Sequence, residues 1–238
     1  MAPIRTYTSD WRKRYSNESE QIDPFRKYFF LCEGENTERY YFEKFIDSKK
    51  ELDISSNVYL DFLEKTENDK GKSAPKCLIE LADKFIKDNK ENFDAKFDKI
   101  VLVFDLDIYE NNQSAFNSIV SDAREKGYLL ALTNPSFELF LLLHKENSLS
   151  QIIEPVTSEI ISNEWVERDD GSKKRYVNNL FFETFGFNPK SSKKVKSLVL
   201  SLNTAINQEK HINQNIDCSH NTITSNVGKI IENIIANK

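Results

Sequence analysis

Short apolar segments alternate with amphipathic segments through the first part of the chain. The segments RKYFFLCE (26–33), KIVLVFDLD (99–107) and YLLALT (128–133) are almost uninterrupted, which is typical of parallel strands buried on both faces. The segment NVYLDFLEK (57–65) instead alternates in period two, which predicts a strand nearer the edge of a sheet. The pattern therefore predicts four strands.

A helix is predicted after each of these strands, because apolar residues recur there at intervals of three and four. Thr37 is placed to cap the first helix, and Pro75 suits the first turn of the second. The third helix is expected at about 113–126, closed by Gly127, and the fourth begins after Pro135.

The alternation of strands and helices predicts the fold class, an α/β fold with a parallel sheet flanked by helices. We expect this core over residues 26–147, after an N-terminal arm over 1–25. Residues 148–238 are expected to form a mainly helical C-terminal subdomain. Its last helix, from about residue 223, should dock on the core through Val227, Ile230, Ile231, Ile234 and Ile235.

Composition narrows the class of protein. No segment approaches the roughly 18 apolar residues of a membrane span, and the polar N-terminal segment lacks the apolar region of a secretory signal, so a cytoplasmic protein without a membrane partner is expected. The three cysteines form no metal-binding pattern. A net charge of −5 argues against a protein that coats nucleic acid through its overall charge.

Carboxylates stand at the ends of two predicted strands. Glu33 ends the first, and Asp105 and Asp107 end the third with period-two spacing, which directs both side chains to the same side. Ligands of open α/β sheets bind at the carboxyl ends of the strands. If the first and third strands are neighbours, these carboxylates meet and repel one another unless a hard cation such as Mg²⁺ compensates them. The alternative is that each caps a helix or is simply solvated.

Two further residues of the fourth helix are candidates. Glu138 lies among apolar positions, where a carboxylate must be paired, hydrogen-bonded or metal-linked. It is either a site residue or a structural anchor. His144 falls on the same face as Phe137, which favours a core or interface histidine over a catalytic one.

The segment GKS at 71–73 suggests a phosphate-binding loop, but Thr66 stands where that motif requires its first glycine. Nucleoside triphosphate hydrolysis is therefore not expected.

A basic segment with interleaved aromatic residues covers residues 168–196. Such a segment suits a nucleic-acid strand, with cations on phosphates and rings on bases. The alternative is a solvated face over an aromatic core. The candidate cations for nucleic-acid binding are Lys173, Lys174, Arg175, Lys190, Lys193 and Lys194.

Three blocks resemble the RloB-like proteins found beside bacterial restriction and abortive-infection loci. They are CEGENTERYYF (32–42), FDLD (104–107) and TNPSFELFLLLH (133–144). The resemblance also includes a C-terminal segment, NTITSNVGKIIENI (221–234). The resemblance implies a Toprim-like core with Mg²⁺-dependent phosphodiester chemistry. Glu33 would act as a ligand or as general acid or base, while Asp105 and Asp107 would hold the metal. Glu38 would serve a second metal, and Glu138 and His144 match family positions of less certain role.

The leading hypothesis is a Mg²⁺- or Mn²⁺-dependent endonuclease that cleaves RNA or DNA in anti-phage defence, working beside an ATPase of the same locus. The alternative is a non-catalytic Toprim-like module that binds a nucleotide or nucleic acid and signals to that ATPase. The residues leave the oligomeric state open.

Overall fold

The structure is a computed structural model that describes residues 25–65, 74–109, 112–168, 170–191 and 194–236. Within these ranges the strands are β1 (Arg26–Cys32), β2 (Val58–Phe62), β3 (Lys99–Asp105), β4 (Leu129–Asn134), β5 (Trp165–Glu167), β6 (Lys173–Arg175) and β7 (Thr224–Ser225). The α-helices are α1 (Thr37–Asp47), α2 (Pro75–Asp88), α3 (Gln113–Glu125), α4 (Phe137–Leu142), α5 (Thr157–Ser162), α6 (Tyr176–Phe185), α7 (Val195–Leu198), α8 (Leu202–Glu209) and α9 (Val227–Ile235).

The main sheet has the strand order β2-β1-β3-β4-β7. The first four strands are parallel, and β7 pairs antiparallel with β4. Because β1 pairs directly with β3, with Leu31 opposite Leu102, the carboxyl ends of these two strands are neighbours. The predicted α/β fold is confirmed, and so is the adjacency on which the acidic site depends.

Helices cover both faces of the sheet. Successive strand residues point to opposite faces, so Leu102 packs with α2 and α3 while Val101 and Val103 pack with α1, α4 and the C-terminal helices. This double coverage is the reason that β1, β3 and β4 read as continuous apolar runs. Among the described ranges, no helix has the length and apolar character needed to cross a bilayer.

The C-terminal part completes the same sheet, which the pattern did not predict. Thr224 and Ser225 pair with the end of β4, so the last helix begins at Val227 and not near residue 223. The Asn226 side chain continues the pairing, because it donates to the Leu130 carbonyl and accepts from the Leu132 amide, both at 2.7 Å. These bonds satisfy backbone groups that the exposed edge of β4 would otherwise leave unpaired.

Other differences are local. The second strand ends at Phe62, short of the predicted 65, and β3 ends at Asp105 because Asp107 begins a 3-10 turn. Gly127 closes α3 as expected, with a φ of 75°. The sequence pattern does not predict the hairpin of β5 and β6, because its short strands carry no apolar alternation. The N-terminal arm up to residue 24 and the GKS segment lie outside the described residues.

Candidate active site

A cavity of about 430 Å³ opens at the carboxyl ends of β1, β3 and β4. Its acidic side is formed by the start of α1, the end of β3 and the start of α4. Its basic side is formed by the β5–β6 hairpin and by Lys190. Three of the four carboxylates predicted for a metal, and four of the six cations predicted for nucleic acid, therefore meet in one cavity.

Asp105 lies at the centre of the acidic side. Its Oδ1 accepts a hydrogen bond of 2.7 Å from the hydroxyl of Thr133, which stands opposite it in the β3–β4 register. Its amide N–H donates to Glu33 Oε2 at 3.4 Å. Glu33 thus lies beside the cavity, in contact with the end of β3, rather than in the cavity lining. The first and third strands bring their terminal acids together as the sequence predicted.

Glu38 reaches the cavity from the first turn of α1 and is buried there. Its carboxylate lies directly over Gly34, where the Cβ of any other residue would overlap it. The glycine of the EGENTE segment therefore makes room for the second acid of that segment. This contact gives Gly34 a physical role in the site.

Glu138 and Asp107 complete the acidic side. Glu138 is 6% exposed and accepts a hydrogen bond of 3.2 Å from the Asn178 side-chain amide of α6. Asp107 follows β3 and is fixed through its backbone, because its N–H donates to the Pro135 carbonyl at 3.3 Å. Both residues line the cavity.

Burial and the charges of neighbouring acids make Glu33, Glu38 and Asp105 hard to ionise. Burial raises the pKa of Glu33 to about 7. The charge of Asp107 also raises this pKa, while the hydrogen bond from the Asp105 amide and the charge of Lys65 lower it. The pKa of Asp105 is raised well above its usual range by burial and then by the charges of Glu38 and Glu138. The Thr133 hydroxyl opposes that rise.

The pKa of Glu38 is raised for the same reasons. Burial raises the pKa of Glu38 to about 7, and the charges of Glu138 and Glu33 raise it further, while Lys190 acts in the opposite direction. Neighbouring acids that repel one another and have lost solvent form an environment that a divalent cation stabilises.

The basic side contains four of the six predicted cations. Lys173, Lys174, Arg175 and Lys190 line the cavity. Lys194 does not lie in the cavity lining, and its ammonium group lies 5.8 Å from the Phe187 ring centroid. Lys193 lies outside the described residues.

The aromatic residues of the basic segment mostly form a core, as in the alternative interpretation. Phe181 is fully buried, and its ring centroid lies 4.8 Å from that of Phe185 and 5.3 Å from that of Phe187. The guanidinium of Arg168 covers Phe182 at 3.8 Å. These rings are occupied by protein contacts and do not face the cavity.

His144 is held in the core, away from the cavity. Its Nδ1 faces the Phe140 carbonyl at 3.1 Å, so this nitrogen donates, and Nε2 accepts from the Tyr41 hydroxyl at 2.9 Å. Burial lowers the pKa of His144 to about 4, which keeps the ring neutral. The structure therefore does not bring this candidate to the acids.

The sequence pattern did not indicate several residues of the cavity, among them Trp165, Asn163 and Asn178. Trp165 lies on β5, Asn163 precedes that strand with a φ of 41°, and Asn178 lies on α6. Only Trp165 carried a local signal, as a tryptophan in a polar stretch. The others depend on contacts between distant segments.

The acids offer oxygen donors alone, in an open arrangement. Among the described residues, no three Asp, Glu, His or Cys side chains converge closely enough to form a metal-ligand group by themselves. An open carboxylate set fits Mg²⁺, which retains waters and accepts substrate oxygens, better than an ion that requires a closed protein cage.

Comparison with known proteins places the chain in a family. The family model described as RloB-like protein matches residues 28–234, which include every described residue of the cavity. None of the curated proteins and none of the solved structures compared with the chain matches it.

Proposed function

This chain belongs to the RloB-like family, and we propose that it is a divalent-metal-dependent endonuclease that cleaves phosphodiester bonds of RNA or DNA. The supporting observation is that a single cavity combines desolvated carboxylates on one side with lysines and an arginine on the other. A phosphodiester substrate uses both, because cations bind its phosphates and metal-held oxygens carry the chemistry.

The metal would be held by Asp105 and Asp107 with Glu33 as a third ligand or as the base that takes a proton from water. Glu38 is available for a second ion. When bound, Mg²⁺ or Mn²⁺ supplies Lewis-acid polarisation of the scissile phosphate and lowers the pKa of bound water. The oxygen-only donor set and the raised pKa values of the acids support this assignment.

The remaining cavity residues bind and orient. Thr133 fixes the direction of the Asp105 carboxylate, and Asn178 fixes that of Glu138. Lys190 lies close enough to Glu38 to lower its pKa, so a phosphate bound by this lysine would lie beside the acids.

The family resemblance supports the biological role. RloB-like proteins are found beside restriction and abortive-infection loci, so anti-phage defence is the proposed setting. An ATPase of the same locus is the proposed partner.

The direct test is cleavage by purified protein. Labelled single-stranded RNA, single-stranded DNA and duplexes are incubated with Mg²⁺, with Mn²⁺ and with EDTA. We expect cleavage of at least one substrate with metal and none with EDTA. Asp105→Asn should abolish cleavage, while the control Asp88→Asn, which changes an exposed aspartate at the end of α2, should cleave at the wild-type rate. Cleavage by Asp105→Asn at that same rate would defeat the metal assignment.

A binding module that signals to an ATPase is the second candidate. It is favoured by the absence, among the described residues, of three donor side chains converged on one point. Tight oligonucleotide binding by calorimetry, with no cleavage under any metal condition, would establish it over the nuclease.

A further inference from the structure

The side chain of Trp165 is largely exposed to solvent. Its relative exposure is 62%, and among the described large apolar residues it shares this property with Leu200. Exposed tryptophan is costly because the indole ring is large and mostly apolar. Trp165 differs from Leu200 in position, since it lines the cavity that contains the acids.

The ring of Trp165 is held in place. Arg175 stands directly opposite it in the hairpin register, and the Arg175 guanidinium lies 5.0 Å from the ring centroid. Arg175 Nη1 in turn donates to the Asn163 carbonyl at 3.1 Å. A cation held over one face of the ring preorganises it, so the exposed remainder can receive a partner without much loss of entropy.

Phosphate-binding charge lies next to this ring. Lys173 and Lys174 line the same cavity from β6, and Lys190 lines it from the turn after α6. None of these three lysines forms an ion pair with a described carboxylate, although Lys126, Lys196 and Lys210 elsewhere do. A planar apolar surface beside free ammonium groups matches the two chemical halves of a nucleotide, its base and its phosphate.

The partner must be an unpaired nucleotide. Both faces of a base within a duplex are covered by its stacked neighbours, so only an unstacked base can lie on an indole ring. A cavity of about 430 Å³ has the volume of a small-molecule site.

We propose that Trp165 is a base-stacking platform which, with Lys173 and Lys174, makes this site selective for single-stranded nucleic acid. This inference rests on the proposed function for the role of the site, but it concerns substrate recognition and can fail or hold separately.

The chain offers a direct optical test, because Trp11 and Trp165 are its two tryptophans. Trp11→Phe leaves Trp165 as the single indole emitter, and Asp105→Asn in the same protein prevents cleavage. Fluorescence is titrated with single-stranded DNA, single-stranded RNA, the matching duplexes and a free mononucleotide. We expect quenching by one or both single strands at much lower concentration than by the duplex or the mononucleotide. The proposal would be overturned if the duplex quenched Trp165 at the same concentration as the single strands, if only the mononucleotide quenched it, or if nothing did.

Substitution separates stacking from folding. In a labelled-strand binding assay, Trp165→Leu should weaken single-strand affinity about tenfold and Trp165→Tyr should largely retain it. The control Leu200→Ala changes a second exposed large apolar residue, outside the cavity lining, and should bind as wild type. If metal-dependent cleavage occurs but Trp165→Leu keeps wild-type affinity and KM, the stacking platform is wrong and the nuclease stands. If quenching occurs with no cleavage by the wild-type protein, the platform stands and the nuclease is wrong.

Discussion

Thr133 donates its hydroxyl hydrogen bond to Asp105 Oδ1 at 2.7 Å, directly across the paired strands β3 and β4. The hydroxyl is buried, so the bond has no competition from solvent. It fixes the carboxylate in the direction of the cavity and partly offsets the repulsion from the neighbouring acids.

Thr133→Val removes this donor while retaining the shape of the side chain. Partners behind metal ligands typically contribute about tenfold or more to metal affinity, so we expect the Mg²⁺ concentration for half-maximal cleavage to rise by about that factor. Thr133→Ser keeps the hydroxyl and should stay near wild type. The measurement is a Mg²⁺ titration of the cleavage rate for each variant. Equal Mg²⁺ dependence in the valine and serine variants would contradict the orienting role.

Gly34→Ala should act through Glu38. The added Cβ would occupy the position of the Glu38 carboxylate and displace this carboxylate from the cavity lining. A displacement of about 1 Å can cost about a hundredfold in rate, whereas the flexible end of Glu38 can move at a cost below about 1 kcal/mol of stability. We therefore expect a large loss of cleavage with a nearly unchanged unfolding temperature.

A double-mutant cycle checks this route. In a Glu38→Ala background the carboxylate is gone, so Gly34→Ala should have no further effect on the cleavage rate. Additive losses in the double variant would mean that Gly34 acts on something other than Glu38.

The raised pKa of Glu38 predicts a pH-dependent stability of the metal-free protein. Its pKa is about 7 in the folded chain against an ordinary value of 4.5, so folding favours the protonated form. The stabilisation is fully present below pH 4.5 and is lost as the pH rises toward about 7. Unfolding curves in EDTA should show wild type losing stability relative to Glu38→Gln across this window.

Metal should reverse this loss. A cation that binds only the folded state raises its stability, so Mg²⁺ added at pH 8 should increase the unfolding temperature of wild type more than that of Glu38→Gln. If the difference in unfolding temperature between the two proteins stayed constant from pH 4 to 8, with or without Mg²⁺, the pKa of Glu38 would not be raised in the folded chain.

His144→Phe distinguishes a core residue from a catalytic one. The substitution leaves the Tyr41 hydroxyl and the Phe140 carbonyl without their partner, so a loss of about 2 kcal/mol in unfolding free energy is expected. Cleavage per folded molecule at low temperature should be unchanged, because the ring lies outside the cavity lining. His211→Phe, at an exposed histidine, is the control. A rate loss of about a hundredfold in the folded His144 variant would instead give His144 a catalytic role, which its match to a family position of less certain role leaves open.

The sequence by itself determined the four parallel strands, the helices that follow them and the acids at the strand ends. This information is local, because burial on both faces produces continuous apolar runs and burial on one face produces helical periodicity. Since neighbouring parallel strands end at the same edge, Glu33 and Asp105 could be placed together before any contact was known.

The tertiary structure decided which candidates share the cavity. Gly34 makes room for Glu38, the β5–β6 hairpin brings Trp165 and three cations to the acids, and His144 turns into the core. Thr224 and Ser225 became a strand because the edge of β4 offered unpaired backbone groups. Each of these outcomes depends on a contact between segments distant along the chain, where close packing and hydrogen-bond satisfaction outweigh local propensity.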